Sequence, residues 1–109
     1  MTAMHQFKAE LFKALGHPMR LRILEILRSG EKTVTDLRDR LGPDASSVSQ
    51  QLALMRNRQL VHARKQGTNV WYTVRDPLIF DLLDIARHIF ENQVASMTSV
   101  LEEDPPDGD

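Results

Sequence analysis

The stretch TDLRDRLGPDASSVSQQLALMRNR, residues 35–58, decides how the rest of the chain reads. Leu37 and Leu41 lie four residues apart, and Val48, Leu52 and Met55 recur at intervals of four and three. That is the spacing of two helices that each bury one side. The sequence predicts a short helix with Thr35 as N-cap that stops at Gly42, then a turn at Pro43-Asp44. A second helix follows from about Ala45 to Arg58, with Asp44 placed to cap it. Its uncommitted face shows Ser46, Ser47, Ser49, Gln50 and Gln51. Two helices joined by so tight a turn, the second with a small polar face, describe a helix-turn-helix.

Working outward toward the N-terminus, Met4, Phe7, Leu11, Phe12 and Leu15 make a first amphipathic helix. Gly16-His17-Pro18 ends it and Pro18 suits the first turn of the next. Met19, Leu21, Ile23, Leu24, Ile26 and Leu27 form a central second helix, broken at Ser29-Gly30. Toward the C-terminus the period changes to two. Leu60 to Gln66 and Val70 to Val74 read as strands around a Gln66-Gly67-Thr68-Asn69 hairpin turn. Asp76-Pro77 opens a final helix with two apolar stripes, one through Leu78, Leu82, Ile85 and Ile89 and one through Ile79, Leu83, Ala86, Phe90, Val94 and Met97. The expected fold class is mainly helical with a small β-hairpin (α+β), a winged helix-turn-helix in the order α-α-α-α-β-β-α. One domain spans 1–101, and the composition of 102–109, with Pro105-Pro106 and Gly108, predicts an acidic, disordered tail.

Composition narrows the function. Apolar residues at 41% and charged residues at 27% are ordinary for a soluble globular chain of 109 residues. There is no cysteine, which removes disulfides, thiolate metal sites and thiol switches together. No apolar run approaches a membrane span and the N-terminus lacks a signal-peptide core, so the chain reads as cytoplasmic. The net charge of -1 hides an asymmetry. No acid lies between Asp44 and Asp76, whereas Arg56, Arg58, Arg64, Lys65 and Arg75 are basic, and residues 102–109 carry five acids. Setting those five aside leaves 14 basic residues against 10 acidic, a balance of +4.

A basic middle and a polar helix face point to duplex DNA. A helix entering the major groove needs short polar or amide side chains near its N-terminus, and Ser46, Ser47, Ser49, Gln50 and Gln51 have that character. Arg56 and Arg58 are better placed for the backbone than for bases. Arg64, Lys65 and Thr68 in the hairpin suit phosphate or minor-groove contact, which positions without reading sequence. No enzyme is expected, because the sequence shows no nucleophile-base set, no glycine-rich phosphate loop and no paired acids in a cleft.

Three blocks then carry a resemblance. Phe12 to Leu24, the run Ser46-Ser47-Val48-Ser49-Gln50-Gln51-Leu52 with Met55-Arg56 and Leu60-Val61, and Arg64-Lys65-Gln66-Gly67 with Val70-Trp71-Tyr72 together resemble the ArsR/SmtB family of bacterial winged-helix repressors over residues 6–95. The resemblance implies a homodimeric repressor that binds an operator. Two departures stand out. Gln50-Gln51 replace a run that often holds histidine, and Arg58-Gln59 stand where many members have Ala-Gly. Both are read as operator detail. The family's metal sites need cysteines, or four final-helix positions that fall here on Asp76, Leu78, Ile89 and Asn92, of which only the first could ligate. No cofactor or metal is expected.

Asp81, Asp84 and His88 share one helix face and leave a metal-responsive regulator as an alternative, as does a winged-helix module that binds protein. His17 is expected to pack or cap. The two-sided final helix needs two partners, so Phe7, Leu11, Leu82, Ile85, Ile89 and Phe90 are expected at the interface of a homodimer on an inverted-repeat DNA operator. An effector, small molecule or protein, is left open.

Overall fold

In the computed structural model, which describes residues 1–103, three of the helices start at a side-chain hydrogen bond. The described residues divide into two units, Met1–Pro77 and the helix that begins at Leu78. In the first, α1 (Ala3–Leu15) starts at a capping box in which the His5 amide donates to Thr2 Oγ1 at 3.2 Å and the Thr2 amide donates to His5 Nδ1 at 3.4 Å. The second helix, α2 (Pro18–Leu27), starts with Pro18 in its first turn, and His17 Nδ1 accepts from the Met19 amide at 3.1 Å. Histidine 17 is therefore a cap, and its ring is engaged in holding the α1–α2 junction.

The next helix departs from expectation by two residues. The helix α3 (Val34–Leu41) takes Thr33, not Thr35, as N-cap. Thr33 Oγ1 accepts from the Asp36 amide and Asp36 Oδ2 accepts from the Thr33 amide, both at 3.1 Å. A cap at Thr35 would put Arg38 at the reciprocal position, where a carboxylate or carboxamide is required. Leu37 and Leu41 are buried as expected, and α3 stops at Gly42 with φ 63°.

The second helix of the motif is also shorter than expected. Gly42–Ser47 is a 3₁₀ turn, and α4 begins only at Val48 and runs to Asn57. Asp44 does not cap it; its carboxylate pairs with Arg22 at 2.7 Å. Pro43 lacks an amide, and the side chains of Asp44, Ser46 and Ser47 compete for the backbone, so these residues form α-helix poorly and the tighter i to i+3 winding accommodates them.

A third strand joins the expected hairpin. The strands β2 (Val61–Gln66) and β3 (Asn69–Val74) pair antiparallel, with Gln66 opposite Asn69 and a two-residue loop at Gly67-Thr68. Gly67 has φ 63° and Thr68 does not have a positive φ, the pattern of a type II′ hairpin turn. On the other edge of β3 lies β1 (Lys32–Thr33), with Lys32 opposite Tyr72 and Thr33 opposite Trp71, so the sheet order is β1-β3-β2. Lys32 is 8% exposed, and its ammonium donates to Ser29 Oγ and the Gly30 carbonyl at 3.0 and 3.1 Å. The core of this unit is Ile23, Leu24, Leu37, Val48, Leu52, Met55 and Val61, all but completely buried. It joins α2, α3, α4 and the first residue of the hairpin, and so fixes α4 from behind.

The second unit is α5 (Leu78–Glu103), 26 residues and thus about 39 Å long. Ile85, Ile89, Phe90, Val94, Met97, Val100 and Leu101 are exposed along it, and Leu82 is half-buried. No helix among the described residues is long and apolar enough to cross a membrane. The tail is expected from Glu102, but Glu102 and Glu103 end α5; the remainder, from Asp104 onward, lies outside the described residues.

Candidate nucleic-acid interface

Burying Val48, Leu52 and Met55 sets the rotation of α4. At 100° per residue, the side opposite that core stripe carries Gln50, Ala53, Leu54 and Asn57, with Ser49 and Arg56 on one flank and Gln51 on the other. Gln50, Ala53, Asn57, Ser49 and Arg56 are exposed and Gln51 is half-buried. Sequence reading found Gln50 and Ser49 but missed Ala53, Leu54 and Asn57. The i, i+3, i+4, i+7 series from Gln50 was the signal that could have found them.

The five polar residues expected to act together do not form one surface. Ser46, exposed, and Ser47, half-buried, belong to the 3₁₀ turn before α4. Ser49 Oγ accepts from Arg38 Nη2 at 3.1 Å, which brings a cation from α3 onto the flank of α4. Gln51 Oε1 accepts from Arg20 Nη1 at 3.3 Å and is held against α2. Gln50 makes no side-chain hydrogen bond among the described residues and lies on the outward face.

The cations divide in the same way. Arg58 Nη1 pairs with Glu10 of α1 at 2.9 Å, and Arg64 Nη2 pairs with Glu31 at 2.7 Å while its Nη1 donates to Gln66 Oε1 at 2.7 Å. Arg56, Lys65 and Thr68 are exposed and make no side-chain hydrogen bond or ion pair among the described residues. The stretch without acids is therefore partly neutralised by carboxylates brought in from elsewhere in the chain.

Between α4 and the hairpin lies an open groove of about 480 Å³, lined by Ser49, Ala53, Arg56, Asn57, Gln59 and Tyr72. No acid lines it. At its rim the end of α4 is closed by a Schellman pair of bonds, from the Leu60 amide to the Met55 carbonyl at 2.9 Å and from the Gln59 amide to the Arg56 carbonyl at 3.1 Å. This geometry puts Gln59 in the left-handed region, φ 66°, where glycine is the usual residue. The departure at Arg58-Gln59 thus concerns a helix cap, and not operator detail alone as expected from sequence.

Among the described residues no group of three His, Asp or Glu side chains is placed to hold a metal ion. Asp81, Asp84 and His88 share a helix face without forming such a group.

A helix-turn-helix whose second helix is followed directly by a β-hairpin, with an exposed polar face on that helix, defines a winged helix-turn-helix DNA-binding domain. The model of the bacterial regulatory protein, arsR family, matches residues 17–63. The uncharacterized HTH-type transcriptional regulator Rv0081 of Mycobacterium tuberculosis is 37% identical over 101 residues, 92% of this chain and 89% of its own. Its crystal structure matches with a TM-score of 0.77 at 34% identity, covering 90% of this chain and 99% of that one. A transcriptional repressor SmtB homolog of Synechocystis is 38% identical over 88 residues, 80% of this chain and 67% of its own. The solution structure of a homodimeric winged helix-turn-helix DNA-binding domain, Mb0332 of Mycobacterium bovis, matches with a TM-score of 0.73 at 26% identity over 84% of this chain and 85% of that one.

The chain belongs to the ArsR family of bacterial regulatory proteins. It is a transcriptional regulator with a DNA-binding fold, not an enzyme.

Proposed function

We propose that this regulator is a cytoplasmic repressor that binds an inverted-repeat operator as a homodimer, with α4 in the major groove and the hairpin on the flanking backbone. The observation that carries the reading is the outward side of α4: it is free of acids, exposes the carboxamides of Gln50 and Asn57, and has the unpaired cation Arg56 on its flank. Gln50 is the foremost base-reading group because its carboxamide is uncommitted and suits adenine; Ser46, Ser47 and Ser49 assist from the N-terminal end of α4, and Gln51 does so only on release from Arg20. Arg56, Arg58, Arg64, Lys65 and Thr68 bind phosphate and set position. The dimer uses Phe7 and Leu11 of α1 with Leu82, Ile85, Ile89 and Phe90 of α5. Phe7 and Phe90 are each 63% exposed in the single chain, an arrangement that a second copy relieves. The homodimeric relative and the relative named a repressor favour the same assignment.

The test is selection of genomic fragments by the purified protein, followed by footprinting. A protected inverted repeat with half-site centres about one helical turn apart is expected, since two recognition helices related by a two-fold enter successive major grooves. Retention that is absent at low salt, or indifferent to sequence, would refute the reading, the former in favour of a protein-binding module.

A further inference from the structure

Gln59 is the one non-glycine residue among the described residues with a positive φ. The left-handed conformation is unfavourable for an L-residue with a Cβ, and glycine would adopt it freely. The Schellman bonds that impose it run entirely between backbone groups, so the cap does not use the glutamine side chain. That side chain makes no hydrogen bond among the described residues; it is exposed and lines the groove between α4 and the hairpin. Arg56, Asn57 and Tyr72, each of which carries a hydrogen-bond donor, line the same groove.

Resting on the DNA-binding reading above, we propose that this groove seats a backbone phosphate of duplex DNA, and that Gln59 holds its strained backbone in order to place a carboxamide donor there. When a helix lies in a major groove and the hairpin after it reaches the adjacent minor groove, one phosphodiester strand separates the two. That strand must cross the gap between helix and hairpin. Arg56 supplies the charge, and Asn57, Gln59 and Tyr72 supply neutral donors that orient the phosphate and hence the register of α4.

Gln59→Gly separates the two roles of the position. It removes strain, so its melting temperature rises above wild type. It also removes a donor, so affinity for a random-sequence duplex falls about threefold to tenfold, the range of one hydrogen bond. Because no charge is lost, the slope of log affinity against log salt is unchanged, whereas Arg56→Ala makes it shallower by about one unit per protomer. Gln59→Asn, which keeps an amide and tolerates the left-handed region, binds more tightly than Gln59→Gly. A Gln59→Gly protein that melts higher and binds DNA like wild type overturns the groove assignment while leaving the DNA-binding reading intact. Wild-type protein that holds no duplex at low salt overturns both.

Discussion

Replacing Glu31 by glutamine is expected to make this regulator bind DNA more tightly, although Glu31 lies outside the helix-turn-helix. The Glu31 carboxylate sits 2.7 Å from Arg64 Nη2, with the two side chains 39% and 50% exposed. A pair so open to solvent contributes about 0.2–1 kcal/mol. A phosphate that approaches Arg64 must displace that carboxylate or share the cation with it. Removing the carboxylate therefore returns the same 0.2–1 kcal/mol to DNA binding, a gain of about 1.4-fold to fivefold per protomer. The substitution is nearly isosteric and the pair is exposed, so loss of fold stability stays within about 1 kcal/mol. Fluorescence anisotropy on a labelled random-sequence duplex reads the change, and the gain should shrink as salt screens the pair. In the Glu31→Gln, Arg64→Ala double variant the gain should vanish. A folded Glu31→Gln protein that binds no more tightly than wild type, or one whose gain survives removal of Arg64, refutes the competition between carboxylate and phosphate.

Gln50→Ala should weaken the best operator by roughly 1–3 kcal/mol and random duplex little, while Lys65→Ala weakens both and flattens the salt slope by about one unit per protomer. Thr33→Ala, which removes the α3 cap, should lower stability by about 1 kcal/mol in a thermal melt. Phe90→Glu should shift sedimenting protein from dimer toward monomer and weaken operator binding with it. Zinc, nickel or cadmium should leave operator affinity within about twofold by titration, since neither thiolates nor a convergent His/Asp/Glu group is available among the described residues.

Much of the fold was legible because it rests on local pattern. The three- and four-residue spacing of Leu37, Leu41, Val48, Leu52 and Met55 decided which faces are buried, whatever the rest of the chain does. Glycine at 67 and 42 marked a hairpin and a helix end because few other residues adopt those angles cheaply. The family blocks were equally local, three short runs in order.

What the sequence could not supply depends on partners distant along the chain. The β1 strand is two residues long, too short for any periodicity, and exists only because Trp71 and Tyr72 pair with it. Asp44 reads as a helix cap beside Ala45, yet Arg22, 22 positions away, takes its carboxylate. The acid-free run from 45 to 75 looks uniformly basic, but Glu10 and Glu31 reach Arg58 and Arg64 across the fold and leave Arg56, Lys65 and Arg75 as its open cations among the described residues. Gln59 is not itself a residue that signals a left-handed backbone, and only the glycine that many family members carry there hinted at one; the conformation follows from where α4 must stop so that Leu60 and Val61 can enter the core. Periodicity and turn chemistry act over a few residues and are written in order along the chain. Charge pairing and strand pairing act through space, and only the packed core decides which distant groups meet.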